Sequence, residues 1–400
     1  MIAWKGRMSV VTNLLHRHLL TLIVVSYALA AACPAVGLWL KDAEILDVVL
    51  PLGRLTMTLP KLLLALLLFN AGMRVKVARV GQIARCPGVM LAGLATNLAV
   101  PLLFLAVMVP ALRAWHNPDE AAVVLVGLAL VTAMPIAGSS TGWAQAADGD
   151  MALSLGLVLG STLLSPLTTP ASLHALGAIA PGRYGEELHR LADRDTGAFL
   201  AAWVLLPSLL GIVVRTALGD GRAVEVDRRM KNLAPVTLLV LCYVNASSCL
   251  PEALGNPDWD FLGIILVFVS GLCILTFAAG HVLGRLLRAD RGQRAALMFG
   301  LGMNNNGTGL VLASLALGSQ PLVMLPIIMY NLMQHLAAGC VDALLRKSGP
   351  PLDLPVGLAA RPGDPRPGPG RLHGGRFPRE AGRGGGCCGV NSPGGKMNAD

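Results

Sequence analysis

An all-α polytopic membrane protein is the fold class this sequence predicts, on three observations. Hydrophobic residues make up 54% of the 400 and charged residues only 14%, where a soluble globular domain carries roughly 25% charge. Ten stretches reach the apolar length, about 20 residues, that a bilayer core requires of a helix. Threading the chain through those stretches puts most Lys and Arg on one side. Together they exclude the soluble, secreted, fibrous and nucleic-acid-binding classes. The net charge of +9 follows from the one-sided basic loops and needs no nucleic-acid partner.

The expected spans are 19–40, 57–73, 87–110, 121–147, 151–176, 197–218, 232–250, 261–284, 293–318 and 321–345. Their ends carry loop punctuation: Gly149-Asp150 before the fifth, Asn256-Pro257-Asp258 before the eighth, and Arg288-Ala289-Asp290-Arg291 after it. The second carries Pro60 and Lys61 near its start, where a lysine can reach the interface along its apolar stem. With the N-terminus inside, the cytoplasmic segments hold Lys5, Arg7 and Arg17, then four basic residues at 74–85, five at 215–231 and four at 285–294, and Arg346 and Lys347. Outside segments hold only Lys41, Arg54, Arg113, Arg183, Arg190 and Arg194. This predicts a multi-pass protein of the cell (inner) membrane with both termini cytoplasmic. The domain plan is a cytoplasmic N-terminus at 1–18, a ten-helix domain at 19–347 and a tail at 348–400. From Gly349 onward 52 residues hold 14 Gly and 9 Pro, a composition expected to be disordered. An alternative for the start is a signal peptide, since basic residues and an apolar run precede Ala30-Ala31-Ala32-Cys33; cleavage there would leave nine spans. The eight cysteines include no CxxC pair and no metal-ligand spacing with His, so neither a disulfide framework, a zinc site nor any other cofactor is expected.

Ten spans divide into repeats at about 19–180 and 195–347, and the fourth span of each half is interrupted. The first interruption reads Ala133-Met134-Pro135-Ile136-Ala137-Gly138-Ser139-Ser140-Thr141-Gly142, and the second Gly300-Leu301-Gly302-Met303-Asn304-Asn305-Asn306-Gly307-Thr308-Gly309. Helix breaks are expected at Pro135 and Gly138, and at Gly302 and Gly307. Three consecutive Asn on a helix would fan out at about 100° per residue and could not share one neighbour. Irregular backbone at bilayer depth is tolerated only when buried in protein or lining a cavity. Matched interruptions in two halves are the signature of a transporter with inverted repeats and a midplane site. The bland alternative is a pair of kinked, packed helices with Asn as interhelical glue.

These residues resemble the bile acid:sodium symporter family over roughly 15–346. Gly302-Met303-Asn304-Asn305 resembles the family's Gly-Met-Gln-Asn, and Ser140-Thr141 stands where it has Ser-Asn. Gly149-Asp150 with Ala152-Leu153-Ser154, then Ser161-Thr162-Leu163-Leu164-Ser165-Pro166 and Thr169-Pro170, resemble its fifth helix; Phe69-Asn70-Ala71-Gly72-Met73 resembles the end of its second. The resemblance implies a core domain (spans 3–5 and 8–10) moving against a panel domain (spans 1, 2, 6 and 7) in alternating access. The cargo would be a small organic anion, bile-acid-like, a steroid conjugate or a carboxylate, with sodium as coupling ion. It also implies two cation sites, one of Ser140, Thr141 and Ser154, the other of Thr96, the Leu301 and Met303 carbonyls and Asn304. Three positions depart from the family: Gly300 replaces a shared glutamate, Val158 a threonine ligand and Thr96 a glutamine ligand.

Candidate substrate contacts are Asn305, Asn306 and Thr308, with Asn97 and Asn245 as further polar residues in the spans. No Lys or Arg stands at mid-membrane to meet an anion. A sodium-independent or proton-coupled carrier of the same fold is the alternative, with His281, His335 and Asp342 as the ionisable groups within spans. Asp342 and Arg346 stand at ion-pair spacing. An arsenite carrier would place a cysteine in 133–147, which has none. An intramembrane enzyme would need paired carboxylates or a nucleophile beside a base. Asp148 and Asp150 look like a helix end, and Ser139 and Ser140 have no His or Lys nearby in sequence. No protein partner is indicated.

Overall fold

The computed structural model of the protein describes residues 18–50, 53–75, 87–180, 182–193, 196–230 and 233–347. The expectations for residues 1–17, for Lys76, Arg79, Arg85, Arg194 and Lys231, and for the tail from 348 lie outside them. Each of the ten apolar stretches is built mainly of helix. In chain order the elements are α1 (Leu19–Ala32), α2 (Pro34–Asp42), β1 (Glu44–Leu50), β2 (Gly53–Thr58), α3 (Leu59–Met73), α4 (Pro87–Arg113), α5 (Pro118–Ala133), α6 (Ser139–Ala146), α7 (Met151–Ile179), α8 (Arg183–Asp193), α9 (Thr196–Leu200), α10 (Leu206–Met230), α11 (Leu233–Ala246), α12 (Leu250–Gly255), α13 (Trp259–Leu286), α14 (Arg291–Gly302), α15 (Asn306–Ala316) and α16 (Met324–Lys347). A π-helical turn, Ala201–Leu205, joins α9 to α10, and a 3-10 turn, Pro321–Val323, leads into α16.

Among the described residues five helical stretches are long and apolar enough to cross a membrane, and a sixth if α1 and α2 count as one span bent by 93°. The first predicted span is thus not straight: Pro34 opens α2 and cannot extend α1, because it lacks the N–H the ladder needs. The all-α expectation also needs a correction. Between the first two apolar stretches β1 and β2 form an antiparallel hairpin, pairing Val48 with Leu55 and Leu50 with Gly53. Its residues, Glu-Ile-Leu-Asp-Val-Val-Leu, are rich in the β-branched types that suit a strand. The second helix accordingly starts at Leu59.

The long helices carry their largest exposed apolar side chains outward. Leu103 and Val107 on α4, Leu167 on α7, Val213 on α10, and Val267 and Ile274 on α13 are each 62–74% exposed. Such a belt is an aggregation hazard in water and a match to lipid tails. Polar residues instead turn inward, and buried Asn, Ser, Thr and Gln concentrate on α7, α11, α15 and α16.

Two close approaches fix the frame. α3 and α10 pack backbone to backbone: a Cβ on Gly72 would stand 2.1 Å from the Ser208 carbonyl oxygen, and one on Gly211 2.2 Å from that of Phe69. The buried Arg215 of α10 donates from Nη1 to the Met73 carbonyl at 2.7 Å, placing a cation at the C-terminus of α3. α1 is tied to α11 by Ser26 Oγ donating to the Leu239 carbonyl at 2.8 Å and by Tyr243 Oη donating to the Cys33 carbonyl at 2.6 Å. Lys61 donates to the Thr56 carbonyl at 2.9 Å and lies 5.6 Å from the centre of the Trp203 ring, so its head turns back toward the hairpin. Asp150 caps α7, accepting from the Ala152 and Leu153 amides at 2.8 and 3.0 Å, as its reading as a helix end requires.

Candidate ion and substrate site

The site is built where two backbone interruptions meet. α5 stops after Ala133 because Pro135 cannot donate to the helix ladder and pushes Met134 out of helical geometry; Met134 is extended at φ −75°, ψ 149°. α14 stops after Gly302, with Met303 extended at φ −125°, ψ 113°. The two extended pieces lie antiparallel, Ile136 opposite Asn304. Ala137 N–H donates to the Met303 carbonyl and Asn305 N–H to the Pro135 carbonyl, both at 2.9 Å. Side chains supply further partners. Ser161 Oγ accepts from the Ile136 amide and Gln334 Oε1 from the Asn304 amide, each at 3.0 Å. Thr169 donates to the Ala133 carbonyl at 2.6 Å, and Tyr330 to the Gly302 carbonyl at 3.3 Å. A backbone group left unpaired in a bilayer costs several kcal/mol. This ring of partners is what lets both helices break inside an apolar body.

Of the expected breaks, Pro135 and Gly138 bound the first interruption and Gly302 ends α14, while Gly307 does not break its helix. Gly138 has ordinary helical φ and ψ at the start of α6. Gly302 is the last residue of α14, and its smallness serves packing, since a Cβ there would stand 2.4 Å from the Phe277 ring. Gly307 lies inside the first turn of α15, where a Cβ would stand 3.3 Å from Leu241 Cδ2.

The expected cation ligands fall into two sets. Ser140 and Thr141 open α6 and Ser154 lies in the first turn of α7, and these two helices pack on each other and on α14. Ser140 is 0% and Ser154 1% exposed, and neither hydroxyl has a partner among the described residues. A buried hydroxyl left unpaired costs about 1–3 kcal/mol, so each asks for a ligand. Thr141 is half-buried and donates to the Gly138 carbonyl at 2.7 Å. In the second set, half-buried Thr96 lines a narrow cleft with Asn97, Thr276 and Leu301. Met303 and the buried Asn304 lie in the bridge itself, where the Met303 carbonyl already accepts from Ala137.

The substrate candidates divide differently. Asn305 is the cap of α15: its Oδ1 accepts from the Thr308 amide at 3.3 Å, so the sequence reading missed a structural role. Asn306, at 2% exposure, has neither its Oδ1 nor its Nδ2 paired, and Thr308 Oγ1 is likewise buried without a partner among the described residues. Asn245 on α11 donates to the Leu241 carbonyl at 2.8 Å, one turn back in its own helix, leaving Oδ1 unpaired. Asn97 lines both the cleft at Leu301 and a second one at Pro135, Ser161 and Thr168. Asp342 does pair with Arg346, at 2.9 Å. His335 is buried on α16 and His281 half-buried on α13; neither touches the bridge through a described hydrogen bond.

The family model described as Sodium Bile acid symporter family matches residues 61–282, more than half of the chain. This protein belongs to the sodium bile acid symporter family. Its relatives include "Uncharacterized protein YbaS" of Bacillus subtilis (strain 168), 27% identical over 226 residues, or 56% of this chain and 69% of that protein. A second is "Probable sodium/metabolite cotransporter BASS1, chloroplastic" of Oryza sativa subsp. japonica, 29% identical over 233 residues, 57% of this chain and 52% of that one. A third is "Uncharacterized sodium-dependent transporter YocS" of Bacillus subtilis (strain 168), 25% identical over 227 residues, 56% and 63%. The match to the second and third covers less than two thirds of their length. A symporter family and an apolar belt together make this an integral membrane transport protein.

Within this symporter fold, Gly300 faces apolar side chains. A Cβ on it would stand 3.0 Å from Leu157 Cδ1. Leu157 belongs to a cluster with Leu94, Ile136, Leu153, Ala296, Leu297 and Leu301, against which Val158 also packs. Gly300 and Val158, where the resemblance implies a glutamate and a threonine, therefore lie on one apolar patch, one turn from Ser154. The side chains of Ser140, Thr141, Ser154 and Thr96 carry neutral oxygens. Sequence reasoning missed Gln334 and Tyr330, and it saw Ser161 and Thr169 only as part of a motif. Each sits in a long apolar helix among other polar residues, and only the fold sets it opposite a broken strand of backbone.

Proposed function

We propose that this protein is a secondary active transporter of a small organic anion, coupled to sodium, working by alternating access. In this reading the chain is a ten-helix inverted repeat with repeats at 19–180 and 195–347. α4 to α7 and α13 to α16 form the moving body, and α1, α3, α10 and α11 the frame. Both termini lie in the cytoplasm. The observation that carries the reading is the pair of buried, unpartnered hydroxyls, Ser140 and Ser154, beside two interrupted helices joined by the Ile136–Asn304 bridge. Hydroxyl, amide and carbonyl oxygens suit a hard monovalent cation. The names of the rice and YocS relatives, a sodium/metabolite cotransporter and a sodium-dependent transporter, support the coupling ion.

With the family glutamate replaced by Gly300, the sodium ion would be held by neutral donors alone and hence weakly. The anion would meet the N-terminal amides of α15 and the amide and hydroxyl groups of Asn306 and Thr308. Asn306 and Thr308 are buried here, with Gly307 between them facing Leu241 of α11, so in this reading the substrate space is closed in this conformation. The test is uptake of labelled organic anions into proteoliposomes with and without an inward sodium gradient. Sodium-driven uptake is the expected result. Uptake indifferent to sodium would leave a carrier and remove the symport, which the hydrocarbon around Gly300 makes the natural second reading.

A further inference from the structure

A single hydrogen-bonded chain runs from the interrupted backbone to the helix pair α1/α11. The Asn304 amide donates to Gln334 Oε1 at 3.0 Å. Gln334 Nε2 donates to Asn331 Oδ1 at 3.3 Å. Asn331 Nδ2 donates to the Tyr27 hydroxyl oxygen at 3.0 Å and lies 3.8 Å from Cys242 Sγ. Asn304, Gln334, Asn331, Tyr27 and Cys242 are all 5% exposed or less. The direction of the chain is imposed from one end. A backbone N–H can only donate, so Gln334 must turn its oxygen to Asn304 and its amino group to Asn331. Asn331 must then turn its oxygen to Gln334 and its amino group to Tyr27. Gln334 cannot flip without losing both its bonds, nor Asn331 without losing its bond to Gln334.

The last link differs in kind from the others. Asn331 and Gln334 stand on α16, one turn apart, and Asn304 lies in the bridge. Tyr27 stands on α1, which Ser26 and Tyr243 bind to α11, the helix that carries Cys242. Reading the protein as an alternating-access transporter, on which this inference rests, puts the Asn331–Tyr27 bond across the boundary between moving body and frame.

We propose that Tyr27 and Asn331 are positioning residues of the transport cycle: their bond latches the moving body against the frame, and Gln334 joins that latch to the backbone at Asn304. An ion that reshapes the break changes the orientation of Gln334, and through it the latch. One buried hydrogen bond lost from this conformation shifts its balance with the open one about fivefold.

Amide hydrogen exchange on the full chain in lipid reads that balance, because amides at the α11–α15 contact open less often while the two helices stay packed. Tyr27→Phe, Asn331→Leu and the double variant are compared with the wild type in sodium chloride and in choline chloride. Each single variant should speed exchange of peptides covering 303–309 and 239–246 about fivefold. The double variant should match a single one rather than multiply the two effects. Sodium should alter exchange around residue 27 in the wild type and not in Tyr27→Phe. Unchanged exchange in Tyr27→Phe, multiplying effects in the double variant, or a sodium response that survives the substitution would each overturn the latch. If Asn331→Leu fails to fold, Tyr27→Phe with its sodium response decides alone. Should the wild type move no anion while Tyr27→Phe behaves as expected, the transporter reading falls and the latch stands; sodium-driven uptake with an unmoved Tyr27→Phe gives the reverse.

Discussion

Restoring a carboxylate at position 300 is the sharpest probe of the ion site. Gly300→Glu would direct its Cβ at Leu157, 3.0 Å from Cδ1 and 3.9 Å from Cβ. That methyl lies at the end of a rotatable side chain and need give only a few tenths of an ångström. The steric cost should be about 1–3 kcal/mol, and part of it returns as the better helix propensity of a residue with a Cβ. Electrostatics decides the rest. A carboxylate among Leu94, Leu153, Leu157 and Leu297 with no counter-charge is strongly disfavoured. Beside a sodium ion the attraction at 4 Å is about 4 kcal/mol at an effective dielectric of 20, set against a desolvation penalty of several kcal/mol. A net gain of about 1.4–2.8 kcal/mol would lower half-saturating sodium 10- to 100-fold. The assay pairs sodium-dependent uptake with thermal unfolding in sodium and in choline. The variant should be less stable than wild type in choline and recover in sodium by about 2.7 kcal/mol at 100 times its Kd. Gly300→Gln carries the same bulk without the charge and should show no gain in sodium affinity. A folded Gly300→Glu whose sodium response matches that of Gly300→Gln would refute the reasoning, and with it the assignment of Ser140 and Ser154 to a cation.

Other substitutions follow from the same geometry. Ser140→Ala and Ser154→Ala each remove a buried, unpaired hydroxyl, so thermal stability without sodium should hold or rise by about 1 kcal/mol, while half-saturating sodium rises about tenfold. A fall in stability with unchanged sodium response would show that the hydroxyls serve only packing. Asn305→Ala should cost about 1 kcal/mol through the lost α15 cap, and Asn305→Ser should recover that stability; transport by the serine variant then reports the amide's own part in binding. Gly72→Ala must force a Cβ from 2.1 Å of the Ser208 carbonyl oxygen, and helices so close can only move apart. The loss should reach about 3 kcal/mol, read as a lower melting temperature in detergent. Gly142→Ala, where a Cβ meets nothing within 4 Å, is the silent comparison.

How much of the site was legible in the chain depends on the kind of signal. Pro135 and the Asn304-Asn305-Asn306 run announced the two interruptions because a helix breaker or three adjacent amides in an apolar stretch have no low-energy regular helix. Among the glycines beside them, Gly307 gave a false version of that signal, since it lies inside the first turn of α15. Gly302 and Gly307 are small so that Phe277 and Leu241 can approach, a requirement set by residues far away in sequence. The bend at Pro34 was open to local reasoning and was hidden by counting apolar length alone, as was the hairpin at 44–58. Asn305 could be named as functional from its neighbourhood, while its role as a cap required knowing that α15 begins at Asn306.

By itself the sequence determined the solvent, the helical stretches and the two places where the backbone fails to stay helical. These are consequences of composition and local backbone chemistry, which act within a few residues. Tertiary structure decided that the two failures pair, Ile136 with Asn304. It brought Ser161, Thr169, Tyr330 and Gln334 to satisfy the backbone they expose, and left the Ser140 and Ser154 hydroxyls without partners among the described residues. A hydrogen bond has a reach of about 3 Å, and residues 168 positions apart come within it only when the helices between them are packed.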